Sequence, residues 1–362
     1  MQTRHRIVPG DARRLDGVDD DSVQLIVTSP PYPMIEMWDA VFSSMSPAAA
    51  AALAEGRPLA AFEAMHRELD AAWAACHRVL APGGLAAINI GDATRSMGGE
   101  FALYPNHARI LAGAMAAGFT VLPDVIWHKP TNAPNKFMGS GMLPAGAYVT
   151  YEHEYVLVLR KGGKRVFRGA EARAHRQRSA YFWEERNRWF SDLWRGLVGA
   201  RQEGAVMDKA LRARSAAFPL DLPLRLILML SCYGDTVLDP FGGSGTTALA
   251  AAMTGRTSLC IEPDAGLRAA AIQRLQDAPW LGRELAVERL SAHRRFVAER
   301  KAAGKIPRHH NDIHDVDVIT GQERKLELWV PVAITAQGPS TADAGAAGPT
   351  AIADHRLLSG LA

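Results

Sequence analysis

Apolar residues along the chain fall into two kinds of run. "VQLIVT" (Val23 to Thr28), "GLAAINIG" (Gly84 to Gly91), "YVLVLR" (Tyr155 to Arg160), "DTVLDP" (Asp235 to Pro240) and "SLCIEP" (Ser258 to Pro263) are short and continuous, the signature of strands covered on both faces. Longer segments carry a helical spacing instead: Leu59 to Val79 before "PGG", Tyr104 to Ala117 before Gly118, and Thr246 to Thr254 before Gly255. Strands alternating with helices predict an α/β protein with a parallel sheet. The regularity breaks twice. A segment from about 161 to 215 interrupts the alternation, and beyond about Ala302 the pattern fades. There "VITGQERKLELWVPV" reads as a strand or hairpin docking on the main domain, and from about residue 335 Ala, Gly, Ser, Thr and Pro predict a mobile tail.

Charge changes the picture of the first interruption. From Arg160 to Arg214 there are 15 lysines and arginines against 6 acidic residues, while the rest of the chain has 26 against 32. Phe167, Tyr181, Phe182, Trp183, Trp189, Phe190 and Trp194 lie among those charges, and Arg interleaved with aromatics suits contact with nucleic acid. The competing reading is a solvated basic face over a small aromatic core. Three distant cysteines, Cys76, Cys232 and Cys260, indicate neither a disulfide framework nor a zinc site and fit a cytoplasmic protein. No apolar run approaches the roughly 20 residues of a membrane span. "HHNDIHDVD" (His309 to Asp317) has metal-ligand residue types without a recognised spacing and reads as a solvated linker.

Two motifs carry candidate chemistry. "DPFGGSGTT" sets a glycine turn between a strand and a helix, and Gly243, Gly245 and Ala248 satisfy a loose G-x-G-x-x-A with Glu262 on the next strand end. Thr246 stands where a phosphate-binding P-loop needs lysine. A dinucleotide site and an S-adenosylmethionine site ask for the same turn and the same ribose-binding acid, so the loop alone leaves both open. The second motif is "TSPPY", Thr28 to Tyr32. Two prolines must end the strand before them, because proline has no N–H for a sheet ladder and holds its predecessor extended.

TSPPY followed far downstream by DPFGGSGTT resembles the DNA amino-methyltransferases of the permuted class, in which the catalytic motif precedes the cofactor motif. "GDARRLDGVDDDSVQLIVTSPPY", "RVLAPGGLAAINIGDA", "DVIWHKPTNAPNK", "EHEYVLVLRKGGK" and "FPLDLPLRLILMLSCYGDTVLDPFGGSGTT" resemble successive segments of that family, from Gly10 to about Leu275. The resemblance implies a Rossmann-like S-adenosyl-L-methionine-dependent fold. Residues 1–160 form its catalytic half, 161–215 a target-recognition insertion, 216–285 the cofactor half and 286–362 a C-terminal extension.

It also implies roles. Ser29, Pro30, Pro31 and Tyr32 would hold a flipped base and accept hydrogen bonds from its exocyclic amine, with no metal required. Asp11 would lie near the cofactor adenine and Glu262 on its ribose. Thr28, Asp239, Pro240, Phe241, Gly242, Gly243, Ser244, Gly245 and Thr246 would surround the rest. Glu36, Trp38 and Asp39 would begin a loop over the base, with contact to it or mere packing as the two readings. His128, Lys129 and Glu152 to Glu154 would shape the cleft. Serine at position 29 is typical of family members acting on cytosine N4, whereas adenine N6 enzymes commonly carry an acid or amide there. Double-stranded DNA is the implied partner; a companion restriction endonuclease and a monomeric or homodimeric state are compatible with it. The rival readings are adenine N6 methylation, an inactive DNA-binding protein, an RNA substrate and an NAD-dependent oxidoreductase.

Overall fold

The computed structural model describes residues 1–129, 138–197, 218–337 and 348–358. Its frame is an eleven-stranded sheet. In chain order the strands are β1 (Gln2–Val8), β2 (Val23–Thr28), β3 (Leu80–Ile90), β4 (Phe119–Val121), β5 (Val125–His128), β6 (His153–Lys161), β7 (Leu193–Trp194), β8 (Thr236–Asp239), β9 (Thr257–Ile261), β10 (Trp329–Gln337) and β11 (Thr350–Leu357). Across the sheet they run β7-β5-β6-β3-β2-β8-β9-β1-β11-β10, with β4 pairing on β6.

The parallel expectation holds for the middle of this sheet. β3, β2, β8, β9 and β1 are mutually parallel, whereas β6 runs antiparallel to β3 and β11 antiparallel to β1. Side chains that alternate along β2 explain its unbroken apolar run. Leu25 and Val27 face one core with Val237, Leu249 and Ile227; Ile26 faces the other with Ile88, Leu69 and Trp73. Helix Pro58–Val79 covers the second face. Its buried Phe62, Met65, Leu69, Trp73 and Cys76 recur every three to four residues, and proline opens it where no N–H is needed.

The C-terminal region differs from expectation in two places. The end of the chain is not a tail from residue 335, because β10 extends to Gln337 and Thr350–Leu357 forms β11 between β1 and β10. Every second residue of β11, Ala351, Ala353 and His355, is buried. Residues 338–347 and 359–362 of the expected tail lie outside the described residues. The His309 to Asp317 segment is not a solvated linker either. His309–Asn311 and Val316–Val318 pair as a hairpin, and buried Asn311 donates to the carbonyls of Glu323 and Leu326.

The basic insertion is divided. Residues 198–217 lie outside the described residues; the rest contains helices Gly169–Arg178 and Trp183–Trp189 and strand β7. Of its aromatics, Phe182, Trp189 and Trp194 are buried, and Trp183 stacks on Phe296 of the long helix Ala278–Ala302. Those four are packing residues. Phe190 remains exposed, and Phe167 lies between Arg165 and Arg176.

Candidate active site

β2 and β8 are neighbours in the sheet, yet the chain leaves them toward opposite sides, to β3 and to β9. A crevice opens at the carboxyl ends of strands at such a reversal. TSPPY leaves the end of β2 and DPFGG the end of β8, so the two motifs meet there although they lie far apart in the chain. Thr28 Oγ1 donates to Asp239 Oδ1 at 2.6 Å, Thr247 Oγ1 donates to Asp239 Oδ2 at 2.7 Å, and the Phe241 N–H donates to Oδ1 at 3.1 Å. Burial pushes the Asp239 pKa up against these hydrogen bonds. A cavity of about 960 Å³ occupies the crevice.

On the β2 side, Ser29, Pro30, Pro31 and Tyr32 all line this cavity. Met34, with φ +66°, turns the chain out of the motif. Tyr32 Oη donates to Glu154 Oε2 at 2.9 Å and receives Asn89 Nδ2 at 2.8 Å. Its single proton is thereby committed, so Ser29 Oγ donates to Tyr32 Oη at 3.1 Å and turns its lone pairs elsewhere. Burial, then the Glu154 charge, raises the Tyr32 pKa well above its ordinary value, which keeps the phenol protonated. Lys129 Nζ lies 2.6 Å from Glu154 Oε1. Gly91 packs beneath the pair, where a Cβ would come within 3.1 Å of the Tyr32 ring.

Of the cleft-shaping candidates, Lys129 and Glu154 therefore reach the site, while His128, Glu152 and His153 are not on its wall. Trp38 lines the cavity, but Asp39 takes a two-pronged bond from Arg95 at 2.9 and 2.7 Å and serves to pin the loop. Asn89 and Trp127 are site residues that sequence reasoning missed. A signal for Asn89 existed: it is the polar residue inside the apolar run "GLAAINIG".

On the β8 side, Glu262 Oε2 accepts the Gly243 N–H at 2.9 Å and Oε1 accepts the Asp264 N–H at 2.8 Å. Each oxygen retains a lone pair, an arrangement that fits the two hydroxyls of a ribose. Burial raises the Glu262 pKa, and the two N–H groups oppose that shift. Asp11 also lines the cavity, with its carboxylate held by Arg13 at 2.6 and 3.0 Å; this hydrogen bonding lowers the Asp11 pKa. Arg13 in turn reaches Glu68 at 2.7 Å. Phe241 packs edge-on to Trp73 with ring centres 6.2 Å apart. Pro240, Gly242, Gly243, Ser244 and Thr246 complete this wall.

Two of the expected cofactor residues stand behind the cavity rather than on it. Thr28 is wholly buried in its bond to Asp239. Gly245 has φ +74°, and a Cβ there would come 2.6 Å from Ala271 Cβ, so its glycine serves the approach of helix Ala265–Arg274. Among the described residues no group of three or more His, Cys, Asp or Glu could hold a metal, and no helix is long and apolar enough to cross a membrane.

Comparison with known proteins identifies the family. A profile of the DNA methylase family covering N6 and N4 enzymes matches residues 23–273. The chain is similar to Type II methyltransferase M.MthZI of Methanothermobacter thermautotrophicus, 45% identical over 91% of this chain and 92% of that protein. It is similar to M.MjaI of Methanocaldococcus jannaschii, 46% identical over 74% of this chain and 90% of that one. Among solved structures it resembles TTHA0409 of Thermus thermophilus in complex with S-adenosyl-L-methionine, with TM-score 0.59 and 32% identity over 76% of this chain and 95% of that one. The chain belongs to the DNA methylase family of N6 and N4 amino-methyltransferases, and its cofactor is S-adenosyl-L-methionine.

Proposed function

We propose that the protein is a site-specific Type II methyltransferase of duplex DNA that modifies the exocyclic N4 of cytosine. The observation that supports methyl transfer to an amine is the polarity of Ser29: with its proton given to Tyr32, Ser29 Oγ offers only lone pairs to the cavity. The choice of cytosine N4 rests on the serine at this position, which is typical of family members acting on that atom. An exocyclic amine conjugated to its ring is a poor nucleophile. Two acceptors on its N–H groups pull the nitrogen toward tetrahedral geometry and free its lone pair for attack. Ser29 Oγ and the Pro30 carbonyl are those acceptors, held by a segment that two prolines stiffen.

A target amine inside a duplex is out of reach, so the nucleotide is flipped into the cavity and its ring stacks on Tyr32. Bound S-adenosyl-L-methionine supplies an activated methyl group, and the remaining task of the protein is to align it with the amine. Glu262 orients the ribose, Asp11 lies toward the adenine, and the loop from Asp239 to Thr246 encloses the methionyl part. A serine hydroxyl is not a general base at neutral pH, so the surplus amine proton leaves after transfer, through water. Exposed basic residues of the insertion, among its described residues 161–197, neutralise DNA phosphates. Relatives named as Type II methyltransferases support the DNA substrate.

Transfer of labelled methyl groups to unmethylated duplex DNA tests this reading. Ser29→Ala is expected to lose most turnover while keeping cofactor affinity, and Glu262→Ala to lose cofactor affinity first. Full activity in both variants would remove the site assignment.

A further inference from the structure

Arg274, the last residue of helix Ala265–Arg274, lies directly behind the glycine loop. Its Nη1 donates to Thr246 Oγ1 at 2.9 Å and to Ser244 Oγ at 3.2 Å. Both hydroxyls are buried, at 2% and 4% exposure for Ser244 and Thr246, yet both residues belong to the cavity wall. A guanidinium has donors and no acceptor. Each hydroxyl oxygen therefore accepts from Arg274, and each hydroxyl proton must point away from it.

The charges around the cavity give this arrangement a purpose. The wall carries Asp11, Glu154, Asp239, Glu262 and Asp264, and its cations Arg13 and Lys129 are already paired with carboxylates. Arg274 differs from them. Among the described residues no carboxylate lies within ion-pair distance of it; Asp277 acts only from farther away and does not offset the burial that lowers its pKa. S-adenosyl-L-methionine has a cationic sulfonium, a cationic ammonium and a single anionic group. An acidic cavity suits the first two. The Ser244 to Thr246 corner, where helix Thr246–Met253 also begins, offers a carboxylate directed donors and a positive charge with no carboxylate partner among the described residues.

We propose that Arg274 is a positioning residue for the methionyl carboxylate of the cofactor: it polarises the Ser244 and Thr246 hydroxyls toward that group and balances its charge from behind. The inference rests on S-adenosyl-L-methionine as cofactor and is independent of which base is methylated.

Calorimetric titration of the full chain, without DNA, with S-adenosyl-L-methionine and with its decarboxylated analogue tests it. The wild type should prefer the carboxylated ligand. Arg274→Met should weaken that ligand about 10- to 100-fold, as expected for hydrogen bonding to a charged group, and leave the decarboxylated analogue within about twofold. Arg274→Lys should recover part of the preference, since it restores the charge on a head group of different reach and shape. Binding of the analogue shows that each variant is folded. Equal weakening of both ligands would reduce Arg274 to a structural staple and overturn the proposal, as would unchanged affinity for S-adenosyl-L-methionine in Arg274→Met. A wild type that bound neither ligand would overturn the cofactor assignment, and the proposal with it.

Discussion

Thr28 donates its hydroxyl proton to Asp239 across 2.6 Å, joining the strand that ends in TSPPY to the strand that ends in DPFGG. Both side chains are buried, and Asp239 Oδ1 also fixes the Phe241 N–H of the turn. Thr28→Val keeps the shape and removes the donor, leaving a desolvated carboxylate short of one partner. The expected cost is about 1–3 kcal/mol of stability, together with weaker cofactor binding as the turn loosens. Denaturant unfolding of the variant measures the first and calorimetry the second.

Glu154 governs the other half of the cavity. It accepts from Tyr32, Asn89 and Lys129, and its carboxylate is what draws the Tyr32 proton away from Ser29. Glu154→Gln gives Tyr32 a neighbour that can donate, so the Ser29 hydroxyl is no longer held as an acceptor. A fall in kcat of roughly tenfold to a hundredfold is expected, with the KM for the cofactor unchanged. A rise in that KM with kcat intact would place Glu154 in cofactor binding instead.

His293 ties the long helix to the basic lobe. Its Nδ1 lies 2.9 Å from Glu184 Oε1 and its Nε2 lies 2.9 Å from the Asp317 carbonyl, so both ring nitrogens face acceptors. Burial pulls its pKa down, but bonding and attraction to Glu184 outweigh this and the net shift is upward from 6.5. A raised histidine pKa stabilises the fold fully below the unfolded value and loses that contribution as pH climbs through the folded value. The melting temperature should therefore decline from pH 6.5 upward, and His293→Gln should flatten that decline. An unchanged slope in the variant would assign the pH dependence elsewhere.

The end of the chain offers a simple test of its corrected role. A chain truncated after Gln337 loses β11, exposes the edge of β1 and uncovers Ile7 and its neighbours. Lower solubility and a lower melting temperature are expected. Wild-type behaviour of the truncated protein would mean that β11 contributes nothing to the fold.

How much of this was legible in the sequence depended on how each residue is used. The five central apolar runs announced themselves, because strands buried on both faces have no polar register to break them. β1 escaped notice because "QTRHRIV" alternates with Gln2, Arg4 and Arg6 outward, and two of its inward positions are Thr3 and His5. β11 escaped because its inward positions are Ala351, Ala353 and His355, too small or too polar to stand out from tail composition. The aromatics of the basic lobe misled in the other direction. Trp189 and Trp194 have the composition of a nucleic-acid surface, but they form the packing under it. TSPPY and the glycine loop were legible because short rigid motifs carry their chemistry locally. Asn89 and Arg274 were harder to see, since each acts only through a partner that folding brings to it.

The role proposed for Ser29 is to present an acceptor to a cytosine amine. The most direct measurement is to incubate the purified protein with unmethylated duplex DNA and S-adenosyl-L-methionine, digest the product to nucleosides and identify the methylated one by mass spectrometry. N4-methyldeoxycytidine is the expected product; recovery of N6-methyldeoxyadenosine instead would rule out the cytosine assignment.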